Sequence, residues 1–210
     1  MTTLFPVIRK VPAGLTDLPL PRRQPWLSRY ARQCLERCAE ISPGVPPEFD
    51  ATALKKDSHG APRPFQNTWW SVSHKPGYVA AVLSPYTTGI DVEQCASRPA
   101  ERLLKRILTK SEADLFSSDR LTTFFRAWTA KEAILKTYGA GISKLSQCHI
   151  ASVISKTRLI ASLSGTERLV DQVFFDNHIA ALVINPDDNV EWTILPPATD
   201  RVSMMNVQED

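Results

Sequence analysis

Two acidic residues, Asp91 and Glu93, occupy alternate positions in the segment Gly89-Ile-Asp-Val-Glu. The alternating apolar residues predict a β-strand, on which side chains two positions apart point to the same face, about 7 Å from each other. Two carboxylates on one face can bind a hard cation such as Mg²⁺, which completes its shell with water and phosphate oxygens. Such a pair is also common on the solvent-facing side of strands, so the motif alone leaves both interpretations open, although Asp is disfavoured inside strands.

A long helix, predicted over residues 121–138, could supply a third carboxylate. Trp128, Glu132 and Lys136 follow one another at four-residue intervals and therefore share one helical face. Lys131 lies about 100° around the helix from that face. The alternative for Glu132 and Lys136 is an exposed pair that stabilises the helix by about 0.2–0.5 kcal/mol.

Two further segments carry polar groups with possible chemistry. A predicted strand over residues 68–73 ends in Ser73, His74 and Lys75, whose hydroxyl, imidazole and ammonium donors suit a phosphate. The alternative is a polar hairpin turn, because Pro-Gly and a second predicted strand over 78–84 follow. Glu112 closes the segment Thr109-Lys-Ser-Glu, which is typical of a capping box at the start of a helix.

The elements that must position these residues are mixed along the chain rather than strictly alternating. A Pro-rich opening predicts an extended lead-in, and an apolar helical face predicts a first helix over residues 26–41. Further helices are expected over residues 99–138. Strands are expected over residues 68–73, 78–84, 88–93, 148–155, 158–163, 169–175, 178–184 and 190–195. This mixture indicates the α+β class.

Charge is distributed unevenly along the 210 residues, although the net charge is only +3. Residues 1–150 carry 21 Lys and Arg against 13 Asp and Glu, whereas residues 151–210 carry 4 against 9. A basic first part favours anionic partners such as phosphates, nucleic acid or an acidic protein, unless the imbalance is a chance property of the surface. The apolar fraction of 43% is ordinary for a globular protein and argues against disorder.

The compartment is expected to be the cytoplasm. No apolar run approaches the roughly 18 residues that a membrane span needs, and the N-terminus lacks the pattern of a signal peptide. Four cysteines, at positions 34, 38, 95 and 148, form no CxxC pair and show no zinc-finger spacing with histidines. Reduced thiols are therefore expected. Because no apolar run is long enough to span a membrane, no membrane partner is expected.

The order of these motifs resembles that of the 4′-phosphopantetheinyl transferases, in particular the monomeric Sfp-type branch. That family has a Gly-Ile-Asp-x-Glu strand and, further on, Trp-Ser-x-Lys-Glu-Ala-x-x-Lys. Here the second motif is Trp128-Thr-Ala-Lys-Glu-Ala-Ile-Leu-Lys, with Thr129 in place of Ser. Gly139-Ala-Gly-Ile-Ser resembles the family's Gly-x-Gly-Leu-Ser, so the resemblance covers residues 55–145.

The resemblance implies a pseudo-symmetric fold of two lobes, each with a small antiparallel sheet and packed helices. The N-terminal lobe would span residues 1–87 and the C-terminal lobe 88–210, with 196–210 as a loose tail. The active site would lie between the lobes, where Asp91, Glu93 and Glu132 would meet.

The implied reaction moves 4′-phosphopantetheine from coenzyme A onto a serine of an apo acyl or peptidyl carrier protein and releases adenosine 3′,5′-bisphosphate. Mg²⁺ held by Asp91, Glu93 and Glu132 would bridge the pyrophosphate oxygens. Glu132, Lys136 and Glu112 would be the catalytic residues, with Lys136 donating to the phosphate and Glu112 taking the serine proton. The capping box is the alternative for Glu112, and a water or hydroxide on the metal could be the base instead.

Coenzyme A recognition by resemblance involves Ser73 and His74 at the 3′-phosphate. The family's Gly-Lys-Pro is Gly60-Ala-Pro-Arg here, so Arg63 would replace the missing lysine. Lys131 and Lys136 would be further phosphate ligands. The family also uses basic residues of the first helix, for which Arg29 is selected from the candidates Arg22, Arg23, Arg29 and Arg32.

Two other functions use the same residues differently. A magnesium-dependent phosphohydrolase or nuclease could use the same carboxylates, but the Trp-x-x-Lys-Glu helix would have no evident purpose in it. A non-catalytic basic module could bind nucleic acid or a carrier protein. No nucleic-acid-binding motif is present, and the intact acidic trio argues against a purely binding role, so no nucleic acid partner is expected.

Overall fold

A computed structural model describes residues 1–15, 18–58, 60–95 and 101–198 of the chain. The predicted loose tail lies mostly outside the described residues. The described helices are α1 (Leu20–Ile41), α2 (Glu101–Ile107), α3 (Lys110–Ala113), α4 (Arg120–Thr137) and a 3₁₀ helix (Ile142–Gln147). The strands are β1 (Thr3–Leu4), β2 (Val7–Lys10), β3 (Trp69–His74), β4 (Tyr78–Ser84), β5 (Ile90–Gln94), β6 (Cys148–Val153), β7 (Arg158–Leu163), β8 (Thr166–Phe175), β9 (His178–Ile184), β10 (Asn189–Val190) and β11 (Thr193–Leu195). The mixed α and β class is confirmed.

The first helix begins earlier than its apolar pattern predicted. It starts at Leu20 rather than Trp26, with Pro21 in its first turn and Pro25 inside it. Proline is tolerated in the first turn because the N–H groups there have no helical acceptor. The Pro-rich opening, predicted to be extended and irregular, also contains β1 and β2. Pro residues therefore did not mark the boundary of the first helix.

The strands form two main sheets. The order in the first is β11-β2-β4-β3, and the order in the second is β5-β9-β8-β7-β6, which is antiparallel throughout. The chain passes from the first sheet to the second between β4 and β5, where the predicted boundary at residue 87 falls. However, β11 returns to pair with β2, and β10 pairs with β1, so the C-terminal strands join N-terminal ones.

The two sheets pack face to face between two helices. One core cluster lies between the sheets and includes Ile8, Ala80, Ile90 and Leu182. A second cluster joins α1 to the first sheet, and a third joins α4 to the second. The strict alternation along β5 sends Ile90 and Val92 into the inter-sheet core, which leaves Asp91 and Glu93 on the face that α4 covers.

Two other expectations concern thiols and membranes. Cys34, Cys38, Cys95 and Cys148 are free thiols, and burial raises the pKa of Cys34 and of Cys148 to about 12. Among the described residues, no helix is both long and apolar enough to cross a membrane.

Candidate active site

Gly89 allows β5 to lie directly against α4. A Cβ atom at this position would overlap the carbonyl oxygen of Ala133 and would lie 2.8 Å from the backbone nitrogen of Thr137. Any side chain here would push the strand away from the helix. The glycine before Ile90 therefore brings the two acidic residues of β5 to the helical face that carries Glu132 and Lys136.

Asp91 is buried, and only one of its two carboxylate oxygens is engaged. Ser73 Oγ donates to Oδ1 at 2.8 Å, and Lys136 Nζ donates to the same atom at 2.9 Å. The other oxygen, Oδ2, is buried with no hydrogen-bond partner among the described residues. Ser73 orients this carboxylate and also accepts from the backbone N–H of Val92, while its contact with a phosphate stays a prediction.

Glu93 is held in a similar way by two donors. Trp128 Nε1 donates to Oε1 at 2.6 Å, and Lys75 Nζ lies 2.8 Å from the same oxygen. Burial raises the pKa of Glu93, and the neighbouring Asp91 carboxylate raises it further. The sequence identified Lys75 as a donor at a strand end and Trp128 as a residue of the shared helical face, but it did not predict that both contact Glu93.

Glu132 lies in the same electrostatic field. Burial raises its pKa first, and Asp91 and Glu93 add to that rise while Lys136 opposes it. In the described part of the chain its carboxylate has no hydrogen bond or salt bridge. The raised pKa values of Glu93 and Glu132, each caused in part by the charge of Asp91, show a site that is short of positive charge.

A hard divalent cation fits these donors in kind. The buried, unpartnered Oδ2 of Asp91 is a ready ligand, and carboxylate oxygens are the ligands that Mg²⁺ prefers. Within residues 1–15, 18–58, 60–95 and 101–198, however, no three His, Cys, Asp or Glu side chains already form a group that could hold a metal. Lys75 and Lys136 instead supply the positive charge.

Glu112 and Lys131 form a separate, buried ion pair. Lys131 Nζ lies 2.6 Å from Glu112 Oε1 and donates to the carbonyl of Ile107 at 2.7 Å. The capping box is confirmed, because Thr109 N–H donates to Oε2 and Thr109 Oγ1 accepts from the N–H of Glu112. Ile150 N–H also donates to Oε1. Burial alone would raise the pKa of Glu112, but these donors together hold it below its usual value.

This pair differs from two expectations. Lys131 was predicted to bind a phosphate, yet its ammonium is buried and committed to Glu112 and Ile107. Glu112 was predicted to take a proton from the acceptor serine, yet donors occupy both of its oxygens. The role of Glu112 as a base stays a prediction, and it would require the pair to open.

Lys136 also borders a cleft beside the acidic site. Two adjoining cavities, of about 220 and 560 Å³, share Lys136 and Gly139. Their far wall is the loop that contains Ala61 and Pro62, and Arg63 lines the larger cavity. Trp70 fixes this loop by donating from Nε1 to the carbonyl of Arg63 at 2.8 Å. The cleft therefore connects the acidic site to the segment in which the family's lysine is missing.

Cations collect along this cleft. Lys56 pairs across the loop with Pro62 and lines the smaller cavity. The guanidinium of Arg32 lies 5.2 Å from the ring centre of Trp70 and donates to the carbonyl of Leu54. Burial lowers the pKa of Lys56, and Arg32 and Lys136 lower it further. Cations that disfavour one another's charge form a natural site for an anion.

His74, another of the predicted coenzyme A ligands, lies within the electrostatic influence of these cations. Burial lowers the pKa of His74, and the charges of Lys136, Lys75 and Lys56 lower it further, in that order. These effects favour the neutral imidazole. Arg29 is exposed on α1 and lines neither of these two cavities. Arg32, one helical turn further on, contacts the wall of the cleft instead.

The chain is similar to known proteins over the segment that carries the acidic site. Residues 87–186 match the model of the 4′-phosphopantetheinyl transferase superfamily, and this segment contains Asp91, Glu93, Glu132 and Lys136. A Haemophilus influenzae protein assigned to these transferases is 37% identical over 84 residues, which cover 37% of this chain and 36% of the relative.

Two cyanobacterial relatives match longer segments. The 4′-phosphopantetheinyl transferase HetI of Nostoc sp. is 30% identical over 122 residues, or 55% of this chain and 51% of the relative. The protein slr0495 of Synechocystis sp., assigned to the same enzymes, is 30% identical over 148 residues, or 62% of this chain and 60% of the relative. The matches thus span at most 60% of the length of these three relatives.

Proposed function

We propose that the chain is a 4′-phosphopantetheinyl transferase, the superfamily whose model matches residues 87–186, and that it transfers 4′-phosphopantetheine from coenzyme A to a serine of an apo carrier protein. One observation supports this most directly: Lys136 bonds the carboxylate of Asp91 and also lines the cation-rich cleft. A ligand with a diphosphate at the acidic site and a further phosphate in the cleft would match both parts.

The fold supports an assignment to the two-lobed, Sfp-type branch. Each main sheet carries one long helix on its outer face, α1 on the first and α4 on the second. In this proposal the lobes correspond to residues 1–87 and 88–210, with β10 and β11 tying the second lobe back to the first. The enzyme would act as a monomer in the cytoplasm, where coenzyme A and carrier proteins are found.

The proposed reaction is an in-line displacement at phosphorus. The serine oxygen forms a bond to the phosphorus next to pantetheine, and its proton passes to a base, a role that Glu112 would fill if its pair with Lys131 opened. The bond to the bridging diphosphate oxygen breaks, and adenosine 3′,5′-bisphosphate leaves. A bound Mg²⁺ would offset the negative charge that develops on the diphosphate. Asp91, Glu93 and Glu132 would hold this ion.

The other residues of the site orient these groups. Ser73 fixes Asp91, and Trp128 fixes Glu93, so that each carboxylate keeps its second oxygen for a ligand. Lys136 donates to Asp91 and to the carbonyl of Ile90, which aims its ammonium at the boundary between acidic site and cleft. From there it can donate to a diphosphate oxygen as well.

Lys56 and Arg32 extend recognition to the remote phosphate. Unlike Lys75, whose pKa responds to all three carboxylates, Lys56 responds to Arg32 and Lys136. Lys56 lines the smaller cavity together with Lys136. This position suits the 3′-phosphate of coenzyme A, which a ribose separates from the diphosphate, and makes Lys56 a second candidate, beside Arg63, to replace the family's lysine.

Lys56→Met is expected to raise KM for coenzyme A about tenfold with little change in kcat, because a charge-assisted hydrogen bond to the remote phosphate is lost. KM for 3′-dephospho-coenzyme A should stay at the wild-type value, since that substrate lacks the phosphate. Lys55→Met is the matched control, as Lys55 is the adjacent exposed lysine and lines neither cavity. Equal losses for the two substrates, or for the two variants, would contradict this role.

The proposed activity is tested by incubating the protein with coenzyme A, Mg²⁺ and apo carrier proteins from fatty-acid, polyketide and peptide synthesis. Intact-mass measurement should show the gain of one phosphopantetheine on one serine, and chelation of the metal should abolish it. If no carrier in the panel is modified, the proposal fails. Release of phosphate or cleavage of nucleic acid without a carrier would support the hydrolase alternative.

A further inference from the structure

Lys75 is a charged residue of the acidic site to which the proposed reaction gives no task. It follows β3 directly, and backbone hydrogen bonding of its N–H to the carbonyl of Tyr78 closes the hairpin to β4. Its ammonium reaches across to the second sheet and lies 2.8 Å from Glu93 Oε1. The lysine therefore joins the first sheet to the carboxylates of the second.

The position of this ammonium relative to all three carboxylates is informative. Although burial lowers the pKa of Lys75, Glu93 and then Asp91 and Glu132 raise it above its usual value. The side chain of Lys75 is still 38% exposed, whereas that of Glu93 is only 11% exposed. The ammonium thus lies at the open side of the carboxylate group, where a small cation from solvent would arrive.

We propose that Lys75 is the resident cation of the acidic site, which neutralises Glu93 in the substrate-free protein and competes with a divalent metal ion for that carboxylate. This inference depends on the proposed metal site. With Lys75 and Lys136 present, two ammonium groups already offset two of the three negative charges.

Competition of this kind follows from elementary electrostatics. Two cations cannot share a largely buried carboxylate without repelling one another, so a metal ion must overcome the charge of Lys75 as well as its own dehydration. A substrate diphosphate removes this conflict, because it brings negative charge for both the metal ion and the released ammonium. Metal affinity should therefore be weak before substrate binds, and Lys75 should be one cause of that weakness.

The test is titration of Mn²⁺ into the substrate-free protein. Binding is measured by calorimetry and by the electron paramagnetic resonance signal of Mn²⁺. Lys75→Met should bind Mn²⁺ roughly three- to tenfold more tightly than wild type, as expected when a half-exposed competing charge is removed. Lys75→Arg keeps the cation and should bind as weakly as wild type. Lys10→Met is the matched control. It removes the same charge from an exposed ion pair, between Lys10 and Asp176, that lies outside the acidic site.

The proposal is overturned if Lys75→Met binds Mn²⁺ no more tightly than Lys10→Met, because Lys75 would then not compete for the site. It is also overturned if Lys75→Met binds more weakly than wild type, which would make Lys75 a support for Glu93. A thermal melt verifies that each variant is folded. Since neither coenzyme A nor a carrier is present, failure of the transfer reaction would leave these results interpretable.

Discussion

Asp91→Asn is expected to lower the rate of phosphopantetheine transfer at least about 100-fold while the protein stays folded. The substitution keeps the size of the side chain and removes its negative charge. Asp91 is the residue on which the site converges, since Ser73 and Lys136 both donate to Oδ1 and Oδ2 is left for a ligand. Without the charge, the proposed metal ion would lose a ligand, and Lys136 would lose the group that aims its ammonium.

The measurement compares initial rates of holo-carrier formation, with substrate-free Mn²⁺ binding as a second readout that should also weaken. Asp114→Asn serves as the control, because Asp114 is an exposed aspartate outside the site and its loss should change neither quantity. A melting temperature close to that of wild type would show that the loss is chemical rather than structural. Transfer at more than about a tenth of the wild-type rate would contradict the role of Asp91 as a metal ligand.

The acidic site was predictable because its geometry follows from local periodicity. A period of two places Asp91 and Glu93 on one face of β5, and intervals of four place Glu132 and Lys136 on one face of α4. Only the contact between the strand and the helix is long-range, and Gly89 signals it, because a bare backbone is needed where two elements approach closely. That the two acidic faces meet was predicted only from the resemblance to a known family.

Contacts between distant segments could not be predicted in the same way. Lys56 reaches the cleft because the loop folds back so that Lys56 pairs with Pro62. Periodicity also could not distinguish Arg29 from Arg32, which lie one helical turn apart, because the deciding contact is with Trp70 in a separate strand. The parallel pairing of β11 with β2 depends on residues at opposite ends of the chain.

The pair of Glu112 and Lys131 shows how a residue's role depends on its partner. The local sequence correctly predicts the capping box, which needs only residues within one turn. The same carboxylate also receives Lys131 from α4 and the N–H of Ile150 from β6. Glu112 therefore joins α3, α4 and β6. No short sequence motif could predict this set of contacts.

Lys131→Met is expected to lower the free energy of unfolding by about 3–5 kcal/mol, the usual cost of leaving one partner of a buried ion pair without the other. Both side chains are almost fully buried, at 4% and 6% exposure, so water cannot replace the lost ammonium. Urea denaturation followed by tryptophan fluorescence measures the difference. Lys110→Met, which removes an exposed lysine from α3, the short helix that contains Glu112, should change stability by less than about 1 kcal/mol.

The pH dependence separates this explanation from a simple loss of packing. In the wild type, the folded-state pKa of Glu112 lies below its unfolded value, because its donors outweigh burial. Its contribution to stability is therefore present above the unfolded pKa and is lost as the pH falls through the folded pKa. Without Lys131, burial raises the pKa of Glu112, so protonation at acidic pH should restore part of the variant's stability.

The stability gap between wild type and Lys131→Met should consequently narrow as the pH falls from neutral towards 4. A gap that is constant with pH would show that lost packing, rather than an unpaired carboxylate, destabilises the variant. A gap of less than about 1 kcal/mol at neutral pH would show that the pair is hydrated and opens readily. In that case Glu112 would be free to accept the proton of a carrier serine, and its role as the base would gain support over its role as a buried structural acid.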